Sequence, residues 1–190
     1  MKRSSRQLSL FKQKLSRQFG GTRLKGNAKV ARPLSTKHAI HLVLKSELAK
    51  CDRSFLRRRN SARIDQIVRG QARAKGIRLY HFVNVGNHLH LVLRLERATP
   101  LAGRRAFHSF IRAVTGLIAR QVLSAERGQA KGIRFWQARP FTRIVSWGRD
   151  YNRIKAYMTK NSEQAGARRH LIDWGFGFTS ERAIAQMDTG

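Results

Sequence analysis

The chain has 190 residues, 41% of them hydrophobic, which suffices for one respectable core, so a single domain with tails is expected. Lys and Arg number 40 against 10 Asp and Glu, a formal net charge of +30. Self-repulsion on that scale calls for a polyanion, and nucleic acid fits best because its phosphates bind basic side chains with release of counterions. An anionic membrane surface is the weaker partner.

No run of about 18 apolar residues is present and the N-terminus lacks the apolar segment of a secretory signal, so neither a membrane span nor export is expected. Cys51 is the only cysteine. It has no partner for an internal disulfide and no CxxC pair for a zinc site, which fits a reducing compartment and a buried or idle thiol. The expected location is the cytoplasm, in association with the nucleoid.

The first acidic residue is Glu47, so the chain up to that point is uniformly positive. Residues 1–32 are expected to form a basic arm, with Arg3, Arg6, Arg17, Arg23 and Lys25 as phosphate contacts. Gly20, Gly21 and Gly26 interrupt its apolar residues, which favours an arm that orders on a polyanion over an independent helix.

Residues 39–45 form a short β-branched and leucine-rich run after Pro33, a first strand. A helix follows, capped by Asn60 or Ser61, with Ile64, Ile67, Val68 and Ala72 at helical spacing up to Gly76. Residues 77–85 and 88–95 read as two strands joined through Gly86 and Asn87. From Leu101, the positions Phe107, Phe110, Ile111, Val114, Leu117, Ile118 and Val122 mark a long amphipathic helix. Residues 133–145 carry strand-like aromatics interrupted by Pro140, a bent or broken strand. A last helix is expected from about 147 to 164, with Ser146 as N-cap and Gly166 as the stop. The order matches an α+β, ferredoxin-like βαββαβ antiparallel sheet with helices on one face and an added C-terminal helix. The domain is expected over residues 33–166, with residues 167–190 as a tail.

Side chains alternate across a strand, so Leu89, Leu91, Leu93 and Leu95 share one face and His88 and His90 the other. The leucines would pack on helices, leaving two imidazoles about 7 Å apart at the backbone on the open face, a spacing suited to one metal ion. A lone histidine on such a face is more often structural, and a His-x-His pair identifies a metal without identifying a reaction. His38, His41, His81, His108 and His170 read as structural or solvent-facing.

In the last helix Trp147, Tyr151, Ile154 and Met158 step by four, three and four and form the buried stripe. Tyr157 lies off that stripe, in line with Arg153, Asn161 and Gln164. An aromatic on a polar face is either an ordinary surface tyrosine or a nucleophile. In the second case Asn161 is a third metal ligand one turn away, Arg153 or Lys160 a phosphate clamp, and Gln164 an accessory polar residue.

The segment Gly86-Asn87-His88-Leu89-His90-Leu91-Val92, followed by Tyr157-Met158-Thr159-Lys160-Asn161, resembles the single-tyrosine HUH transposases of small insertion sequences. Phe135-Trp136-Gln137 through Val145 looks like the stretch before the tyrosine helix in their REP-associated branch. The resemblance runs from about residue 32 to residue 161. It implies a nuclease whose tyrosine attacks a phosphate in hairpin-flanked single-stranded DNA, giving a 5′-phosphotyrosine and a free 3′-hydroxyl. It further implies that His88, His90 and Asn161 hold Mg2+ or Mn2+ and that Tyr157 is the nucleophile. The histidine pair and the tyrosine then come from one chain or from two in a homodimer. The alternatives are a non-catalytic DNA- or RNA-binding protein descended from a transposase, and a metal-dependent hydrolase that uses water.

Overall fold

The computed structural model describes residues 17–21, 31–96, 99–125 and 132–173, with residues 167–173 by backbone alone. In chain order the elements are β1 (Gln18–Phe19), β2 (Ala39–Lys45), α1 (Arg58–Ala74), β3 (Ile77–Asn84), β4 (His88–Leu95), α2 (Pro100–Leu123), β5 (Phe141–Val145) and α3 (Arg149–Asp173). They form one five-stranded sheet in the order β1-β5-β2-β4-β3, antiparallel throughout. Without β1, the order β5-β2-β4-β3 is that of a ferredoxin-like βαββαβ unit, as the alternation of elements predicts.

The two sheet faces are sorted by the period-two pattern. Ile40, Leu42 and Leu44 of β2 join Leu89, Leu91, Leu93 and Leu95 of β4 beneath Ile64 and Val68 of α1 and Phe107, Phe110, Val114 and Ile118 of α2. Each large apolar side chain removed from water there contributes about 1.5–3 kcal/mol before entropy is subtracted. The opposite face carries Ala39, Val83, Val92 and Val145, covered by Ile154, Met158 and Ala165 of α3. A register shift between Leu79 and His81 lets β3 serve both sides. Ile77 and Leu79 pair with Leu95 and Leu93, whereas His81 pairs with Val92 and Val83 with His90.

Several local expectations are corrected. Within the expected arm, Gln18 and Phe19 form an edge strand on β5. A Cβ at Gly20, whose φ is +86°, would lie 2.2 Å from the Pro140 carbonyl oxygen, so this close approach requires glycine. Neither Asn60 nor Ser61 caps α1, which begins at Arg58. The Asn60 side chain is buried and donates to the Ser54 carbonyl instead. Only residues 141–145 of the expected 133–145 strand are extended in the sheet. Phe135 and Trp136 pack on Phe55, and the Gln137 amide bonds the Lys45 carbonyl.

Helix α3 starts later and runs further than its sequence signals indicate. Ser146 takes a hydrogen bond from Arg17 on its Oγ and does not cap the helix. The carboxylate of Asp150 accepts from the Ser146 backbone N–H (3.1 Å) and pairs with Arg143 (2.6 Å). Gly166 does not stop the helix, which continues past the expected domain end with Ala165 packed against the sheet. Of the predicted stripe, Ile154 and Met158 are buried and Tyr151 partly so, but Trp147 is 41% exposed. Cys51 is exposed rather than buried. Among the described residues, no helix is long and apolar enough to cross a membrane.

Candidate active site

The β3–β4 hairpin that carries the histidine pair is held by its own turn. Gly86 adopts φ +102°, its carbonyl accepts from the Phe55 N–H (2.7 Å), and Asn84 reaches from its side chain to the Phe55 carbonyl (2.7 Å). Asn87, the last turn residue, accepts the Ser46 N–H on its carbonyl. Its side-chain oxygen lies 2.6 Å from His88 Nδ1, which makes Nδ1 the protonated nitrogen of that ring.

His88 and His90 lie together, ring centroids 4.7 Å apart, on the sheet face away from α1 and α2. His88 is half-buried, but His90 is only 3% exposed, so the face is less open than the sequence predicts. The cover includes the ring of Tyr157, whose centroid is 5.4 Å from that of His90 with the planes at 83°. The predicted tyrosine and the predicted histidine pair therefore meet within one chain. Tyr157 itself is 46% exposed, leaving its phenol accessible.

Tyr151, the other tyrosine of α3, is engaged by its neighbours. Its hydroxyl lies 3.1 Å from His81 Nε2, its ring packs on Tyr80 and Trp147, and burial raises its pKa. Asn161, one turn after Tyr157, donates from Nδ2 to the Tyr157 carbonyl (2.9 Å). Arg153, Lys160 and Gln164 are exposed on α3. Arg17 bonds Ser146, while Arg3, Arg6, Arg23 and Lys25 lie outside the described residues.

A third imidazole belongs to this cluster: of the two roles the sequence left to His41, structural or solvent-facing, it is the buried one, packed on the histidine pair. His41 Nε2 is 3.1 Å from His90 Nδ1, the ring planes are 11° apart, and its centroid is 6.4 Å from that of Tyr157. A signal existed. In Ala39-Ile40-His41-Leu42-Val43-Leu44 the apolar even positions mark the core face, and ferredoxin-like strand order sets this strand beside the histidine strand, which puts His41 on the same face.

Burial, then the Arg143 guanidinium, lowers the His41 pKa to about 4. Burial, then His88 and His41, lowers that of His90 to about 3. Both rings are neutral at physiological pH and keep lone pairs. His90 Nε2 is buried without a hydrogen-bond partner, an arrangement that is costly unless the nitrogen meets a ligand. An orphaned imidazole nitrogen beside a second imidazole fits a divalent transition-metal ion. Among the described residues, no three His, Cys, Asp or Glu side chains form a ready ligand set. Asn161 or phosphate oxygens would have to complete the sphere.

An open cleft of about 300 Å³ adjoins the cluster, lined by Gly20, Gly21, Val43, Lys45, Arg139 and Phe141. Val43 is the cross-strand partner of His90, so cleft and histidines share a sheet face.

Fold and site together define an α+β protein whose antiparallel sheet presents a His-x-His pair to a tyrosine on a covering helix. Its fold is that of a REP-associated tyrosine transposase. A structure of such a protein bound to a REP hairpin superposes with a TM-score of 0.54 over 73% of this chain and 74% of that one, at 15% sequence identity. A presumptive transposase of Deinococcus radiodurans R1 matches over 70% of this chain and 98% of its own, at 22% identity and a TM-score of 0.42, too low to bear on the fold. No model of a known protein family matches the chain, and no curated protein does.

Proposed function

We propose that this protein is a transposase-like enzyme that nicks and rejoins single-stranded DNA through a covalent tyrosine intermediate. The observation that carries this reading is the meeting of Tyr157 with His88 and His90 on one face of the sheet. The Tyr157 Oη attacks phosphorus, and the bond from phosphorus to the 3′ oxygen breaks. The phenol gives up its proton, the departing 3′ oxygen takes one, and the 5′ phosphate stays on the tyrosine. Attack by a 3′-hydroxyl reverses the step without loss of phosphodiester energy.

His88, His90 and Asn161 would hold Mg2+ or Mn2+, and imidazole nitrogens favour manganese. Bound there, such an ion supplies Lewis-acid polarisation of a non-bridging phosphate oxygen. Lys45 and Arg139 in the adjoining cleft, and Arg153 and Lys160 on α3, offer positive charge to the backbone of the strand. A hairpin substrate is suggested by the REP hairpin bound to the structural neighbour.

The test is incubation of protein, hairpin oligonucleotide and Mn2+, followed by a denaturing gel. The reading expects a covalent adduct that disappears in Tyr157→Phe. An adduct that survives Tyr157→Phe removes the nucleophile assignment. Cleavage without adduct points to water as nucleophile, and salt-sensitive binding without cleavage points to a non-catalytic DNA-binding protein.

A further inference from the structure

The His41–His90 contact constrains which nitrogen of His90 carries its proton. Both rings are buried and their facing nitrogens share one hydrogen bond at 3.1 Å, so one of those nitrogens is N–H and the other a lone pair. If His41 Nε2 were the donor, the proton of His90 would sit on Nε2, a buried N–H without an acceptor. If His90 Nδ1–H is the donor, His90 Nε2 keeps a lone pair and His41 carries its proton on Nδ1. The second arrangement avoids an orphaned donor, the more costly kind of unsatisfied group.

The neighbouring ring is held in the same way, since His88 Nδ1 lies 2.6 Å from the Asn87 side-chain oxygen. Both imidazoles are thus gripped at Nδ1, one by a turn residue and the other by a residue of the adjacent strand. We propose that His41 is the positioning residue of the metal site, accepting the His90 Nδ1–H and so presenting the His90 Nε2 lone pair to the ion. This rests on the metal-site reading above. The near-parallel rings, 11° apart and carried by the paired strands β2 and β4, also fix the direction in which that lone pair points.

The test uses the full chain and Mn2+ as probe. Nitrogen-15 NMR of the metal-free protein should show His90 protonated at Nδ1 and unprotonated at Nε2. Electron paramagnetic resonance titration should show Mn2+ affinity falling roughly 10- to 100-fold in His41→Leu. His41→Gln, whose amide oxygen is again an acceptor, should recover part of it. A His90 protonated at Nε2, or an affinity in His41→Leu within about twofold of the unaltered chain, overturns the proposal. The NMR arm needs no variant and decides the matter even if His41→Leu is too unstable to purify. If His88→Ala and His90→Ala bind Mn2+ as tightly as the unaltered chain, the metal-site reading itself falls, and the role of His41 with it.

Discussion

Tyr157 stands edge-on to His90, ring centroids 5.4 Å apart, although one residue comes from the last helix and the other from a central strand. The contact is made possible by Ile154 and Met158, which seat α3 on Val83, Val92 and Val145 and so fix the phase in which Tyr157 faces the histidines.

Cleavage and binding should separate. His88→Ala and His90→Ala are each expected to abolish cleavage of a hairpin oligonucleotide in Mn2+, because each removes an imidazole from the pair. Binding should weaken by less than roughly tenfold at fixed salt, since affinity comes mainly from phosphate contacts. Gel-shift and cleavage assays on the same preparations check this. Full activity in either variant, or in the presence of a chelator, would contradict it.

Stability should fall in acid before the carboxylates titrate. In the unfolded chain the imidazoles of His41 and His90 titrate near 6.5, whereas burial holds them to about 4 and about 3 in the folded protein. Between those limits the unfolded state binds more protons. Stability is therefore complete above 6.5 and declines as pH falls through that window, by a few kcal/mol. Urea midpoints at pH of about 7, 5.5 and 4.5 would reveal the slope. A flat dependence would mean that both imidazoles titrate near 6.5 in the folded protein as well.

The Arg143–Asp150 pair ties the start of α3 to β5, and Asp150 is also the acidic residue of the first turn of that helix. Asp150→Ala removes the ion pair, the acceptor for the Ser146 N–H and a favourable charge at the helix N-terminus. It should cost about 1–3 kcal/mol in urea denaturation. A loss below about 0.5 kcal/mol would show that α3 is held by its apolar stripe alone.

Gly20→Ala should act locally. Its Cβ would collide with the Pro140 carbonyl, releasing β1 from β5, where the Ile144 N–H bonds the Arg17 carbonyl at 2.9 Å. Hydrogen exchange at Ile144 should accelerate while global stability changes little, because β1 is only two residues long. Unchanged exchange at Ile144 would show that the edge adjusts without detaching.

The parts of the fold legible in the sequence were those built on apolar periodicity. Leu89, Leu91, Leu93 and Leu95 announce a strand with one buried face, and Phe107, Phe110, Val114 and Ile118 announce a helix. Boundaries set by tertiary contacts were not legible. Asn60 has the chemistry of a cap, but the Ser54 carbonyl claims its side chain, and Gly166 has the form of a stop, but packing of Ala165 carries α3 through it. Strand β1 is too short to carry a pattern. At the candidate site, His88, His90 and Tyr157 stood out because their neighbours define a face. His41 did not, because its partner His90 is reached only across the β2–β4 pairing.

Since the histidine pair and Tyr157 face one another inside a single polypeptide, the proposed chemistry needs no residue from a second copy. Turnover per molecule should then be independent of enzyme dilution. Mixing a histidine-deficient variant with a tyrosine-deficient one should not restore activity, as it would if two copies had to exchange helices to assemble the site.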